Sequence, residues 1–525
     1  MNQEATPIHR AIISVADKRN LIPFARFLSE HGVGVISTGG TAHILQDSGV
    51  PVMAVEQVTG FPEILGGRVK TLHPKIHGAL LARRDNAEHM KELQRQDIDP
   101  VDLVVVNLYP FSETIEKPGV ALEEAIEQID IGGVTLIRAA AKNHPWVTTV
   151  TSPDDYGALQ REIAELDGKV SAAMRQRLAV EAFRHTAQYD TVIARYLGQQ
   201  FCEAEVEEWP EMLAPQFHRC YPLRYGENPH QAAAFYEEQR ESIVGLSQAK
   251  VHQGKELSFN NLYDLDAALG IVRDFDEPAV CIIKHTNPCG LATGKTLAEA
   301  YEKALECDPL SAYGSIVGLN REVDPETARK IHETGFVEAI LAPGYAAGVL
   351  TLFSKKKNRR VLELPGMMDR SGYPPTTIKP VAGGLLIQQG DYADWADYEP
   401  KVVTRRAPTP EEERALRFAF KAAKHVRSNA IVLAQDTHTV GVGAGQMSRV
   451  DSCLIAIRKA GPRAKGSVLG SDAFFPFRDG VDTAAEAGVT AIIQPGGSKR
   501  DAEVIQAADE QGIAMIFTGK RHFRH

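Results

Sequence analysis

Lys284 and His285 open the run Lys284-His285-Thr286-Asn287-Pro288-Cys289-Gly290, directly after the apolar stretch Ala279-Val280-Cys281-Ile282-Ile283. A lysine steadies a developing oxyanion, or gives up a proton when its pKa is lowered, and a histidine titrates where a general base is useful. The apolar stretch reads as a buried strand whose end presents both groups, which is where open α/β sheets place their chemistry. Pro288 and Gly290 disfavour helical continuation and fix a turn, and Asn287 before proline is pushed toward extended geometry. An isolated Lys-His pair is more often a solvated strand end, so its company elsewhere in the chain decides.

In the first 200 residues the company is phosphate chemistry. Ile36-Ser37-Thr38-Gly39-Gly40-Thr41-Ala42 passes from strand through two glycines into a helix, whose free N–H groups would hold a phosphate. It is neither a P-loop nor a dinucleotide fingerprint, and a glycine turn is more often only a connection. Gly66-Gly67-Arg68-Val69-Lys70-Thr71-Leu72-His73-Pro74 adds cations beside glycines. His73 and His77 have the spacing of a helical metal pair, but Pro74 lies between them without an acidic ligand nearby, so they read as ordinary histidines. Asp130 and Lys142 bracket a short helix, as catalytic groups or simply as charges matched to its dipole.

Beyond residue 200, Arg224-Tyr225-Gly226-Glu227-Asn228-Pro229-His230 places an arginine, a tyrosine and a histidine around a turn of the kind that often binds ligands. The glycine run from Gly441 to Gly445 lacks dinucleotide spacing, which argues against a nicotinamide cofactor. Arg449 is compatible with clamping a carboxylate or phosphate and equally with a structural ion pair. Ser471 to Asp479 gathers Phe474, Phe475 and Phe477, enough to wall a flat heteroaromatic ligand or to form core under a loop. Pro288-Cys289 evokes a zinc deaminase, but no second cysteine and no His-x-Glu follow.

These groups need a scaffold of several domains. At 525 residues the chain allows three or four structural units, and 43% hydrophobic with 24% charged residues is a globular composition. No apolar run has the length of a membrane span and no signal peptide is visible, so the expected location is cytoplasmic. Six scattered cysteines without metal-finger spacing read as reduced thiols. A net charge of −10 argues against a nucleic-acid surface, so an anionic substrate needs a local cluster of Lys and Arg. Residues 10–150 alternate short apolar runs with helical patterns, the grammar of a mostly parallel sheet, and 153–199 read as helical throughout. The acidic stretch 202–210 is the candidate linker, giving regions 1–199 and 200–525. In the second, strands are expected at 278–283, 314–319, 338–342, 430–434, 439–443 and 490–494, with a further boundary near 355–375.

Nine blocks in order carry a resemblance over essentially the whole chain. They are Ser37 to Thr41, Gly66 to Pro74, Asn107-Leu108-Tyr109-Pro110-Phe111, Gln128 to Gly133, Arg138 to His144, Leu223 to Gln231, Lys284 to Gly290, Gly443 to Arg449 and Ser471 to Asp479. The chain resembles the bifunctional purine-biosynthesis enzymes that join phosphoribosylaminoimidazolecarboxamide formyltransferase to IMP cyclohydrolase. The resemblance implies a methylglyoxal-synthase-like domain that closes the formylated carboxamide nucleotide to IMP, with Lys70, Tyr109, Asp130 and Lys142 as its catalytic group. Ser14, Lys18, Ser37, Thr38, Gly39, Gly40, Thr41, Arg68, Thr71, Asn107 and Gly132 would bind the nucleotide. For the second region it implies two cytidine-deaminase-like subdomains without zinc, moving a formyl group from 10-formyltetrahydrofolate to the 5-amino group of the aminoimidazole carboxamide ribonucleotide. There His285 matches the base and Lys284 the oxyanion stabiliser or proton donor. Arg224, Tyr225, His230, Asn261, Glu338, Asn429, Arg449 and Arg521 match nucleotide or interface positions, and Phe474, Phe477 and Asp479 the folate side. The resemblance further implies a homodimer, no transition metal, and room for a monovalent cation.

The chain departs from the family pattern at Ala16, where serine is usual, and at Tyr313, Glu338 and Arg427, where phenylalanine, aspartate and lysine are common. A non-catalytic nucleotide sensor is the rival from another class, since methylglyoxal-synthase-like domains also serve as ligand modules. The presence of Lys70, Tyr109, Asp130, Lys142, Lys284 and His285 weighs against it, because a sensor needs only the phosphate site. An enzyme with one degenerate region is a second rival, against which neither region lacks a catalytic residue.

Overall fold

The computed structural model describes residues 4–201, 209, 211–238, 244–370 and 373–525, so the linker expected at 202–210 lies, apart from Trp209, outside the described residues. The chain divides into two compact units, residues 1–215 and 216–525.

The first unit is built on a five-stranded parallel sheet. Its strands are β1 (Arg10–Val15), β2 (Gly34–Ser37), β3 (Val52–Ala54), β4 (Leu103–Asn107) and β5 (Thr148–Val150), in spatial order β3-β2-β1-β4-β5. Leu103 to Asn107 are all buried, as a strand covered on both faces requires. Helix α1 (Leu21–Glu30) follows β1 and buries Leu21, Phe24, Ala25 and Leu28, while α2 (Gly39–Asp47) follows β2. The strand order reverses on either side of β1, and the carboxyl ends of β1, β2 and β4 therefore open a crevice. Two further helices matter to the site: α3 (Pro74–Leu81) and α4 (Gly132–Lys142). The helical reading of 153–199 is corrected. Asp167 and Gly168 take positive φ values of 51° and 82°, a short strand Lys169–Val170 pairs with Thr6–Pro7, and only then does α5 (Ala172–Phe201) begin. A glycine next to a left-handed residue ends one helix and restarts the chain in a new direction.

The second unit carries a twelve-stranded mixed sheet. The strands are β6 (Lys250–Gln253), β7 (Ala279–Lys284), β8 (Asn287–Thr293), β9 (Ser315–Leu319), β10 (Val337–Ala342), β11 (Arg360–Glu363), β12 (Lys401–Val402), β13 (Ile431–Gln435), β14 (His438–Gly443), β15 (Val468–Ser471), β16 (Ala491–Gln494) and β17 (Ala514–Phe517). Their order is β6-β11-β10-β9-β7-β8-β14-β13-β15-β16-β17-β12, so each half mirrors the other about the β8–β14 seam. Helices α6 (Phe259–Val272) and α7 (Leu297–Cys307) serve the first half, α8 (Pro410–Lys424) and α9 (Arg449–Ala460) the second.

Ile283 does not end at a crossover to a helix. β7 and β8 form an antiparallel hairpin, Lys284 opposite Asn287, with His285 and Thr286 as its two-residue loop. Pro288 and Gly290 lie inside β8 rather than in the turn. The register slips between Ile282 and Ile283, so Pro288 sits at a bulge where its missing N–H is tolerated. Gly290 is there for space: a Cβ would stand 1.8 Å from the Ala304 carbonyl oxygen of α7. Gly290→Ala is therefore expected to cost about 3 kcal/mol or more through forced separation of β8 and α7. Urea unfolding of the purified variant checks this, and an unchanged midpoint would refute the close approach.

Candidate functional site

In the first unit the strand ends converge. Ser14 and Thr38 share a hydrogen bond of 3.0 Å, Ser37 Oγ donates to the Ile13 carbonyl at 2.6 Å, and Lys18 Nζ donates to Thr41 Oγ1 at 3.0 Å and to the Val15 carbonyl. Burial pulls the Lys18 ammonium below its usual pKa, opposed by Asp17. Asn107 at the end of β4 accepts from the N–H of Ala16 (2.5 Å) and Asp17 (2.8 Å), so the backbone at Ala16 is held without the usual serine hydroxyl.

Lys70 reaches this crevice. Gly39, at φ 43°, lies so near its ammonium that a Cβ would stand 3.2 Å from Nζ. Glu63 neutralises the ammonium at 3.0 Å. Thr71 touches Gly132 in the same way, and Asp130 Oδ1 accepts from the Gly133 N–H at 2.6 Å. Burial raises the Asp130 carboxyl above its ordinary pKa, against the N–H groups of Gly133 and Tyr109, which brings a proton on this group closer to neutral pH. Tyr189, a residue the sequence did not single out, accepts from the Asp130 N–H at 2.8 Å and donates to the Gln128 carbonyl at 3.0 Å. Tyr109 is exposed beside this cluster.

Lys142 is not brought to Asp130. It ends α4 while Asp130 precedes its first turn, and 11 residues of helix put about 15 Å between the two ends. Arg68 turns outward to an ion pair with Glu127, both side chains more than half exposed. His73 caps α3, its Nδ1 accepting from the Lys75 N–H at 3.2 Å, and His77 is held neutral by burial. Lys70, His73, Thr59, Phe61, Val69 and Leu72 line a cavity of about 230 Å³.

In the second unit the candidate pair Lys284 and His285 stands at the tip of the β7–β8 hairpin. His285 is exposed, with φ 52°, and Thr286 is buried, with φ 62°. Lys284 Nζ donates to the carbonyls of Tyr313 (2.9 Å) and Gly314 (3.1 Å). Two of three ammonium N–H bonds are thereby spent, leaving one to offer a substrate oxygen. Asp264 of α6 accepts from the Thr286 N–H at 2.6 Å. Arg427 approaches from the other half: its N–H donates to Asn287 Oδ1 (3.0 Å), its Nε to Thr286 Oγ1 (3.2 Å) and its guanidinium to Tyr263 (2.9 Å). Asn429 follows, donating to the Gln446 carbonyl at 2.9 Å, and lines a cavity of about 300 Å³ with Ser428, Gln446, Met447, Phe523 and His525.

Of the two roles open to Arg449, the structure shows the ion pair. Its buried guanidinium is committed to Asp472, to Ser471 Oγ at 2.8 Å and to Asn429 Oδ1 at 2.8 Å, so it orients Asn429 instead of presenting a free fork. Asn261 donates to Glu338 at 3.0 Å, and Glu338 accepts from Arg360 at 3.1 Å. Arg224 and Tyr225 lie close enough to act on the Arg360 guanidinium electrostatically, while burial, the larger cause, pulls it below its usual pKa. Arg224 donates to the Tyr225 hydroxyl at 2.6 Å, and His230 is exposed on the turn beyond. Phe475 is the core member of the aromatic trio; Phe477 is exposed under the Arg500 guanidinium, 4.7 Å from its centroid, and Asp479 starts the next helix. Arg521 lies over Phe523 at 4.6 Å. Asp264 and Arg360 make contacts that spacing could not reveal, because each meets its partner on another element, whereas Glu63 meets Lys70 within the segment that carries both. Among the described residues no group of three His, Cys, Asp or Glu could hold a metal ion, and no helix is long and apolar enough to cross a membrane.

The chain matches the family described as AICARFT/IMPCHase bienzyme over residues 140–459 and the MGS-like domain over residues 20–135. It is 52% identical to the bifunctional purine biosynthesis protein PurH of Halalkalibacterium halodurans, covering 98% of this chain and 99% of that protein. The PurH proteins of Anoxybacillus flavithermus and Bacillus subtilis are 54% and 53% identical, over 98% and 99% of this chain and 99% and 100% of theirs.

Behind Arg427 lies a buried ionic cluster. Asp274 accepts from Lys424 at 2.7 Å and from His425 Nε2 at 2.6 Å. Burial would raise the Asp274 pKa, but the hydrogen bond from His425 and the Lys424 ammonium outweigh it and hold the carboxylate well below the usual range, while burial pulls His425 below its own. Both groups bind more protons unfolded than folded as the pH drops. The His425 contribution is thus lost below about pH 6.5, and that of Asp274 below about pH 4. The urea midpoint of the intact protein is expected to fall between pH 7 and 5, and His425→Asn to flatten that fall; equal slopes in both proteins would refute this assignment.

Proposed function

The chain belongs to the AICARFT/IMPCHase bienzyme family, and from that premise we propose which residues perform its two reactions. The reactions are the last two steps of IMP synthesis. The first moves a formyl group from 10-formyltetrahydrofolate to the 5-amino group of 5-aminoimidazole-4-carboxamide ribonucleotide, and the second closes the formylated nucleotide to IMP with loss of water.

The observation that carries the transferase assignment is the hairpin tip, where an exposed imidazole follows a lysine with one uncommitted N–H. The amine is a weak nucleophile because its lone pair is delocalised into the ring and carboxamide. As its nitrogen bonds to the formyl carbon, His285 takes the amine proton and the free N–H of Lys284 steadies the formyl oxygen. The bond from that carbon to folate N10 then breaks, and N10 takes up a proton. Asn429, oriented by Arg449, and the Asn261–Glu338–Arg360 chain beside Arg224 are proposed to place the nucleotide. Phe474, Phe477 and Asp479 are proposed for the folate side.

For ring closure the carboxamide nitrogen attacks the formyl carbon, and water leaves. Lys70 and Tyr109 are proposed to stabilise the oxygen, and Asp130, with its raised pKa, to handle protons. Ser14, Lys18, Thr38, Gly39, Gly40 and Thr41 at the strand ends are proposed for the phosphate. Within one chain the geometry gives Lys142 no access to Asp130, so its assignment rests on the resemblance alone.

We further propose a cytoplasmic homodimer. The hairpin Thr376–Val381/Gly384–Gln389 exposes Val381, Leu385 and Leu386, and Met447 is 97% exposed. A two-stranded hairpin is marginal in water unless something covers it.

Lys284→Ala or His285→Ala is expected to lower formyl transfer by about 10²- to 10⁴-fold and leave cyclisation of supplied formylated nucleotide intact. Lys70→Ala should do the reverse. Following tetrahydrofolate and IMP separately decides, and loss of both activities from one substitution in folded protein would refute two independent sites. Light scattering should give twice the 57.4 kDa chain mass, which Leu386→Glu should lower; a monomeric native protein would refute the dimer.

A further inference from the structure

The loop His285–Thr286 is energetically unfavourable on its own. Two-residue hairpin loops with positive φ at both positions favour Asn-Gly, because L side chains pay for the left-handed conformation. Here the positions hold an imidazole and a β-branched threonine, at φ 52° and 62°, conformations that their Cβ atoms disfavour. Something outside the hairpin must hold them.

Three contacts do. Asp264 lies in the second turn of α6 and sends its carboxylate to the loop, accepting from the Thr286 N–H at 2.6 Å with the His285 N–H also within its reach. Arg427 ties down the Thr286 hydroxyl and Asn287 from the other half of the sheet. Thr286 Oγ1 completes the ring by donating to the His285 carbonyl at 2.7 Å. Asp264 is the only carboxylate in this set, and it sits in a desolvated place that raises its pKa against the pull of those N–H groups and of His285 and Lys284. A charge is kept there at a cost, and hydrogen bonds to the strained backbone offset it.

We propose that Asp264 is a positioning residue for formyl transfer, its carboxylate holding the His285–Thr286 backbone left-handed and so fixing the directions of the Lys284 and His285 side chains. The inference rests on the reading of Lys284 and His285 as the transfer pair. Asp264 acts through the turn and not on the substrate, so what it supplies is an acceptor in the right place.

Wild type, Asp264→Ala, Asp264→Asn and the double variant Asp264→Ala/Thr286→Gly are compared for both activities. Losing the acceptor lets the pair drift, and about 1 Å of misplacement is worth roughly 10²-fold in rate. Asp264→Ala should therefore lower kcat of transfer by about 50-fold or more, with KM for the nucleotide within about twofold and cyclisation unchanged. Asp264→Asn, which keeps an acceptor oxygen, should stay within about fivefold of wild type. Glycine accepts positive φ freely, so Thr286→Gly should return at least about tenfold of the rate lost in Asp264→Ala. Equal losses in the alanine and asparagine variants, absence of rescue, or a parallel loss of cyclisation would overturn the proposal. Hydrogen exchange of the 284–287 amides needs no turnover: Asp264→Ala should speed it at least about tenfold, and unchanged exchange would overturn the clamp. A folded wild type without transfer activity would instead sink the underlying reading, while exchange still decides whether Asp264 holds the loop.

Discussion

The second unit depends on the seam between β8 and β14. Two half-sheets meet there in antiparallel register, Ala292 opposite His438, and Thr439 Oγ1 bonds both the N–H (3.0 Å) and the carbonyl (3.2 Å) of Leu291. Seam strands are crowded by a helix on one face, and glycine makes the crowding tolerable. Added Cβ atoms at Gly290, Gly441 and Gly443 would stand 1.8, 2.2 and 1.9 Å from carbonyl oxygens of α7 and α9. Close packing at the seam fixes where one half begins relative to the other, and interiors at crystal-like density do not absorb such displacements. Because the strands run antiparallel, the β7–β8 tip lands beside the segment Arg427–Asn429 of the opposite half. The seam thus assembles the site.

Each half repeats the same path of helix, hairpin, helix and parallel strands, yet the hairpin tips differ. The first carries His285-Thr286, the second Asp436-Thr437, with Asp436 also left-handed at φ 49°. Asp436 spends its charge on Arg414 at the surface, whereas Lys284 donates to the Tyr313 and Gly314 carbonyls and His285 is exposed. Two copies of one supersecondary plan therefore carry tips of different side chains and partners. An acidic chain of net charge −10 still offers local cations, with Lys284 and Arg427 at the β7–β8 tip and Arg360, with Arg224 near it, in register with Ile283 through Ile316 and Ala339.

Much of this was legible in the sequence where periodicity carried it. Ala279–Lys284, Ser315–Leu319, Val337–Ala342, Ile431–Gln435, His438–Gly443 and Ala491–Gln494 are strands because continuous apolar runs between breakers have little alternative in a doubly covered sheet. Strands such as Arg360–Glu363 and Val468–Ser471 carry charge or glycine and escape that signal. Pro288 and Gly290 misdirect it outright: breaker residues denote a turn by composition, whereas here one occupies a bulge and the other a close contact that exists only after folding. The helix break at Asp167–Gly168 was hidden by the good helix formers around it, since propensity is a weak prior against tertiary docking. At the candidate site, residue types pointed to Lys284 and His285, whereas Asp264 and Arg360 meet Thr286 and Glu338 at a separation of 22 residues that no local pattern marks.

The two units place their candidate groups in different ways. The first places Ser14, Thr38 and Gly39 at the carboxyl ends of parallel strands, where helix N-termini supply N–H groups and the strand order itself opens the crevice. Of these three only Gly39 is left-handed, and its positive φ costs little. An antiparallel hairpin offers no such crevice, and its tip is a tight loop whose side chains would ordinarily be chosen for turn formation. Putting His285 and Thr286 there sacrifices local preference, and the stability returned by Asp264, Arg427 and the seam makes the choice sustainable. A tip bearing Asn-Gly would form more easily but would present no imidazole.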